Sequence, residues 1–154
     1  MTQREYDVNS IRAMTLHDLD QVMELWLNTN LSGHAFIDQT YWQKHVEEVK
    51  KMLPYADVIV YEKQGRILGF LGIQKGYLAG IFVDENHQSM GIGKRLLEYA
   101  KGRYPSLTLH VYEKNQQAIA FYQREGFTFK DKSMEQDTGE MELFMEWRSR
   151  NESI

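Results

Sequence analysis

The chain has 154 residues and a formal net charge of −4, with 42% hydrophobic and 26% charged residues. A single domain spanning residues 1–154 is expected, large enough to bury roughly two-thirds of its unfolded surface, and the acidic balance without a basic tract argues against a nucleic-acid partner. No apolar run of about 18 residues and no leader-like start occur, so a cytoplasmic protein with no membrane partner is expected; the absence of cysteine removes disulfides, thiolate metal sites and a cysteine acyl-enzyme.

In chain order, Val8 to Arg12 reads as a first strand. Thr15-Leu16-His17-Asp18 has the form of a capping box, opening a helix whose Leu19, Val22, Met23 and Trp26 share one face. Leu31 to Gln39 reads as a loop. A second helix is expected from about Thr40, with Gln43 at the box position and Trp42, Val46, Val49 and Leu53 on one side, stopping at Pro54. Val58–Tyr61 and Ile67–Ile73 read as strands joined in a hairpin around Gln64-Gly65, followed by a strand from Leu78 to Val83. A helix from Ile92 to Arg103 places Ile92, Leu96, Leu97 and Ala100 on one face. Leu107–Tyr112 reads as a strand and Gln116–Glu125 as the last helix. Phe127–Lys130 and Glu140–Trp147 alternate as a closing antiparallel pair.

The junction Gln88-Ser89-Met90-Gly91-Ile92-Gly93-Lys94 joins a strand to a helix, where two glycines admit close backbone approach and unpaired N–H groups of the first turn face a ligand. An anion, phosphate above all, suits such a place. A P-loop would need Gly where Gln88 stands and Ser or Thr where Arg95 stands; a dinucleotide fingerprint would need Gly in place of Leu96. What remains is Gln-x-x-Gly-x-Gly. Downstream, Leu107 to Phe127 reads as strand, Asn115, a helix carrying Ala118 and Phe121-Tyr122, then Gly126-Phe127.

Together these two segments resemble the hallmarks of the GNAT superfamily of acyl-CoA-dependent N-acyltransferases, most closely its small bacterial members related to ribosomal-protein N-terminal acetyltransferases. The resemblance extends from about residue 8 to about residue 148 and is specific between Ile81 and Phe127. Mixed α/β structure follows from the periodicity. The resemblance implies more: a mainly antiparallel central sheet of six to seven strands flanked by about four helices, with central strands that splay apart.

It also implies acetyl-CoA as donor and a primary amine as acceptor, on a protein N-terminus, a lysine or a small molecule, without a covalent acyl-enzyme. The pyrophosphate is expected on the backbone of Met90, Gly91, Ile92, Gly93 and Lys94, with Gln88 adding a hydrogen bond and Lys94 or Arg95 adding charge. The pantetheine arm is expected along Ile81, Phe82 and Val83, with Phe82 or Val83 offering an N–H to the thioester carbonyl. Tyr122 matches the family's tyrosine acid and would protonate the departing thiolate. His110 stands where similar N-terminal acetyltransferases carry a glutamate base; it faces away from Leu109 and Val111 and is either the base or a histidine hydrogen-bonded in the sheet, with Glu113 as a second candidate.

Asn115 is placed to cap the last helix and, by resemblance, to contact pantetheine. Ser32 to Asp38 and Tyr41-Trp42 would border the amine side of the cleft. There His34, Phe36, Asp38 and Trp42 are candidates for acceptor binding, against packing for the rings and helix capping for Asp38. His17, His45 and His87 lack metal-ligand spacing, so no metal is expected. The rival function is a non-catalytic acyl-CoA-binding sensor or structural module. Monomer and homodimer both remain open, with the last strand and its Trp147 as a possible inter-chain edge.

Overall fold

Strand order in the single sheet decides where a ligand can enter. In the computed structural model, which describes residues 10–150, the elements run β1 (Ile11–Ala13), α1 (Leu19–Gly33), α2 (Gln39–Met52), β2 (Asp57–Lys63), β3 (Arg66–Gln74), β4 (Tyr77–Val83), α3 (Ile92–Lys101), β5 (Ser106–Tyr112), α4 (Gln116–Arg124), β6 (Thr128–Met134) and β7 (Met141–Arg148). The seven-stranded order is β1-β2-β3-β4-β5-β7-β6. Every adjacent pair is antiparallel except β4 and β5, which are parallel. The mixed, mainly antiparallel sheet with four helices agrees with the expected architecture. Val8 and Asn9, at the start of the first expected strand, lie outside the described residues.

The entry to α1 is fixed by its capping residues. Thr15 N–H donates to Asp18 Oδ2 at 2.7 Å and Asp18 N–H donates to Thr15 O at 3.0 Å, closing a short 3-10 turn ahead of the helix. Asp18 is buried and takes a two-pronged contact from Arg12, Nη1 to Oδ2 at 2.7 Å and Nη2 to Oδ1 at 3.0 Å. Those bonds hold its carboxyl down to about 2, against the opposing effect of burial. α1 continues to Gly33, past the expected loop start at Leu31. Leu27 and Leu31 extend its packed stripe by one more turn, so the true connection is only His34 to Asp38.

Asp38, rather than Thr40, caps α2: its Oδ1 accepts from Thr40 N–H at 2.9 Å and from the Thr40 hydroxyl at 2.8 Å. The turn at Gln64-Gly65 has both residues at positive φ, 52° and 80°, which matches the right-handed twist of the flanking strands. β4 carries a bulge, because Gly72 faces Gly80 while Ile73 faces Leu78; such an extra residue bends the strand. β6 runs on four residues past the end that its apolar pattern suggested, to Met134. It is an exposed edge whose polar residues 130–133 carry no alternation signal.

Two apolar layers sandwich the sheet. α3 and α4 pack Leu96, Leu97, Ile119 and Tyr122 against Leu71, Leu109 and Met145. On the other face α1 and α2 pack Val22, Trp26 and Trp42 against Val60, Phe70 and Tyr112. Each fully buried side chain of this size contributes about 1.5–3 kcal/mol. The expectation that the last strand offers an inter-chain edge is corrected: β7 is flanked by β5 and β6, and Trp147 packs into the α3/α4 layer beneath Lys101.

Candidate active site

β4 and β5 lie side by side at one residue pair only, Tyr77 with Thr108, where Thr108 N–H donates to Gly76 O at 3.0 Å. Beyond it the strands diverge and leave a wedge in the sheet. Ladder alternation decides which backbone groups line it. Asp84 N–H donates to Leu68 O on β3 at 2.8 Å, so Phe82 N–H also turns to β3, whereas Ile81 and Val83 turn theirs into the wedge. By the same alternation His110 and Tyr112 N–H groups enter from β5. Of the two residues considered as donors to a thioester carbonyl, the geometry therefore favours Val83.

The glycine loop closes one end. Asp84 accepts from Asn86 N–H at 3.3 Å and pairs with His87 Nδ1 at 2.7 Å, while Gln88 Nε2 donates to Val83 O at 3.1 Å. Gln88 thus braces the wedge wall, with its amide already engaged. Gly91 enters α3 at φ 81°, a conformation that costs a side-chain-bearing residue about 1–2 kcal/mol. No side chain caps α3, and its first internal bond is Arg95 N–H to Gly91 O at 3.1 Å. The N–H groups of Ile92, Gly93 and Lys94 therefore point outward. A Cβ on Gly93 would sit 3.7 Å from side-chain atoms of Ile81, Val83 and Phe121, so its absence leaves room between α3, β4 and α4. Met90 and Lys94 are exposed. Arg95 instead sends Nη1 to Tyr61 Oη at 3.3 Å, on the β2 side of the helix.

Tyr122 reaches the wedge from α4. It is buried, edge-on to Phe121 and Phe127, and burial pushes its phenol above the ordinary value, opposed by a backbone hydrogen bond at Ile81 and assisted by Tyr77. It stays protonated at neutral pH, as an acid must. His110 is exposed on β5, with Nδ1 2.9 Å from Tyr77 Oη and its ring against Phe144. Glu113 is drawn into a surface ion pair with Lys132 at 2.5 Å.

The opposite bank is aromatic. His34 stacks on Trp42 at 5.4 Å between ring centres and meets Tyr112 and Phe36 edge-on. Asn115 Nδ2 donates to His34 Nε2 at 3.1 Å, which leaves the His34 Nδ1 proton for Asn30 Oδ1, also at 3.1 Å. Burial lowers His34 below its ordinary value, against the charge of Glu135. His34 is thus a neutral clasp between the α1–α2 connection and the start of α4. Asn115 is both that clasp's donor and the cap of α4, its Oδ1 accepting from Ala118 N–H at 3.2 Å. Trp42 is buried, with its indole N–H unpartnered among the described residues. Asp38 is exposed and occupied as a helix cap.

Three carboxylates near this bank escaped the sequence reading. Tyr112 donates its hydroxyl to Glu135 Oε1 at 2.8 Å, and Thr138 donates to the same oxygen at 2.6 Å. Glu142 lies on β7 directly opposite Tyr112, and Asp137 sits in the β6–β7 connection. Burial pushes the Tyr41 phenol up, and Glu135, Asp137 and Glu142 all add to the shift. For Glu142 a signal existed, since the alternation of Glu140 to Trp147 puts Glu142, Phe144 and Glu146 on one face. Glu135 and Asp137 sit at a turn whose packing no local pattern reveals. Among the described residues no three His, Asp or Glu side chains converge to hold a metal.

Comparison with known proteins agrees with this geometry. A family model described as an acetyltransferase (GNAT) domain matches residues 54–129. The peptidyl-lysine N-acetyltransferase YiaC of Escherichia coli (strain K12) is 39% identical over 139 residues, covering 89% of this chain and 95% of that protein. The chain belongs to the GNAT family of acetyltransferases. The peptidyl-lysine N-acetyltransferase YjaB of the same organism is 27% identical over 133 residues, 86% of this chain and 90% of that protein. The solution structure of apo YjaB superposes with a TM-score of 0.79 at 25% identity, covering 90% of this chain and 96% of the other. The ribosomal-protein-S18-alanine N-acetyltransferase of Escherichia coli shares the fold, with a TM-score of 0.64 at 21% identity over 90% of this chain and 92% of its own.

Proposed function

We propose that the protein transfers acetyl from acetyl-CoA directly to the ε-amino group of a lysine on a protein or peptide. The observation that carries the acceptor class is the pairing of two unlike banks across the wedge. One bank offers outward N–H groups of α3, the Val83 N–H and the protonated Tyr122, suited to the pyrophosphate, the thioester carbonyl and the thiolate leaving group in turn. The other offers aromatic rings with Glu135, Asp137 and Glu142, suited to an alkyl chain that ends in a cation. The peptidyl-lysine activity of the relatives YiaC and YjaB supports the same acceptor.

In this reading Tyr122 is the acid, and the amine loses its proton on the β5/β7 side, where His110 stands at the position of the family's base. The backbone from Met90 to Lys94 holds the pyrophosphate and Asn115 lies beside the pantetheine path. His34, Phe36 and Trp42 shape the acceptor wall, while Asp38, exposed at the head of α2, belongs to its outer rim. A non-catalytic acyl-CoA sensor is the weaker reading, because a buried protonated phenol at the Ile81 side of the wedge has no use in a molecule that only binds. An acceptor screen with thiol detection tests the proposal. Lysine peptides are expected to release coenzyme A at least tenfold faster than peptides offering only an α-amine; the reverse order would overturn the lysine assignment.

A further inference from the structure

This sequence has no glutamate on β5 at the family's base position, yet a carboxylate faces the same space from the next strand. Glu142 stands opposite Tyr112 in the β5–β7 ladder and diagonal to His110, on the sheet face shared by all three. It is half-buried, and among the described residues no hydrogen bond or ion pair engages its side chain. Of the other carboxylates of this region, Glu135 is engaged by Tyr112 and Thr138, Glu140 by Lys114 at 3.1 Å and Glu146 by Arg148 at 3.2 Å, while Asp137 is exposed in the β6–β7 connection. His110 has a fixed partner in the Tyr77 hydroxyl. We propose that Glu142, and not His110, takes the proton from the acceptor ammonium, so that the base has moved from β5 to β7 in this chain.

Its surroundings fit that task. The groups facing Glu142 are Tyr112 and His110 on β5, Tyr77 on β4, Tyr41 on α2, Ser133 on β6 and Glu135 just beyond that strand. Burial, and then the charge of Glu135, raise its carboxyl above the ordinary glutamate value, which makes it a stronger proton acceptor than an exposed carboxylate. Burial pushes up the phenols of Tyr41, Tyr77 and Tyr112, and Glu142 adds to each. Its field therefore extends from the aromatic bank to Tyr77, whose phenol in turn acts on Tyr122.

The steps balance. The ammonium gives one proton to the Glu142 carboxylate, and the free amine attacks the thioester carbon. As the C–N bond forms and the C–S bond breaks, the thiolate takes the Tyr122 proton. The second proton on nitrogen returns to the Tyr122 phenolate, and Glu142 releases its own to solvent.

The inference rests on the acetyl-transfer reading, and the test separates the two. Thiol release from acetyl-CoA and a lysine peptide is measured against pH for wild type, Glu142→Gln, Glu142→Asp and His110→Ala, with thermal melts to verify folding. Glu142→Gln is expected to lower kcat by about 100-fold and to erase the rising acid limb, with acetyl-CoA affinity unchanged. Glu142→Asp keeps the limb at reduced kcat, and His110→Ala keeps it too. A folded Glu142→Gln protein with full kcat, equal losses with Asp and Gln, or a limb lost only in His110→Ala would each overturn the assignment. Wild-type protein that releases no thiol with any amine would instead overturn the activity reading itself.

Discussion

Tyr122 and His34 show how burial assigns opposite duties to two titratable side chains. For Tyr122 burial disfavours the phenolate and keeps the phenol protonated, the state that the acid role proposed above requires. For His34 it disfavours the imidazolium, and two hydrogen bonds of fixed polarity make the ring a strut. Tyr122→Phe is expected to cut turnover more than about tenfold while leaving acetyl-CoA affinity nearly unchanged, as steady-state rates and calorimetry on one preparation would report. His34→Ala should act differently, loosening the α1–α2 connection and raising KM for the peptide more than it lowers kcat. Tyr122 was legible because it falls inside a motif. His34 was legible only as a member of an aromatic-rich segment, since its bond to Asn115 spans 81 residues of sequence.

At the scale of elements, local patterns read well wherever one face was buried. The amphipathic stripes of α3 and α4 and the turn at Gln64-Gly65 came directly from spacing and turn chemistry. Reading failed where local polarity misleads. Ser32-Gly33 looks like a loop but finishes α1, and β6 is exposed along its whole length, so it carries no burial signal. The same reason hid the acidic residues of the β6–β7 connection. The α3 entry supplies its own test. Gly91→Ala forces a Cβ into a φ of 81° and should cost about 1 kcal/mol in a denaturant titration. It should also weaken acetyl-CoA binding, since the outward N–H groups of Ile92 to Lys94 depend on that turn.

Across the whole molecule, the resemblance implied a splayed sheet, but only the register located its apex at Tyr77 and Thr108 and turned the amides of Ile81 and Val83 inward. Stability at low pH is also a global property with a local origin. Asp18, held to about 2 by Arg12 against an ordinary value of 3.8, contributes stability that is fully present above about pH 4 and fades as pH falls through 2. Partial exposure of Arg12 brings that contribution to roughly 1–2 kcal/mol. Asp18→Asn should therefore lower the melting temperature at pH 7, and the gap to wild type should narrow below about pH 4 and close only below about pH 2. Glu62, the second carboxylate on Arg12, leaves the guanidinium still partnered in that variant.

A sheet joined across its middle by one residue pair carries a strip of backbone without a neighbouring strand. Ile81 and His110 spend their amides on Tyr122 and Tyr77, but Val83 and Tyr112 have no strand beside them on that side. In deuterated buffer the amides of Val83 and Tyr112 should exchange far faster than those of Phe70 or Leu109, although all four lie in central strands. Saturating acetyl-CoA should slow Val83 selectively, as the pantetheine arm takes the place of the missing strand. The donor would then complete the protein's own secondary structure, and at about 100 times its Kd it would add about 2.7 kcal/mol to the stability of the fold.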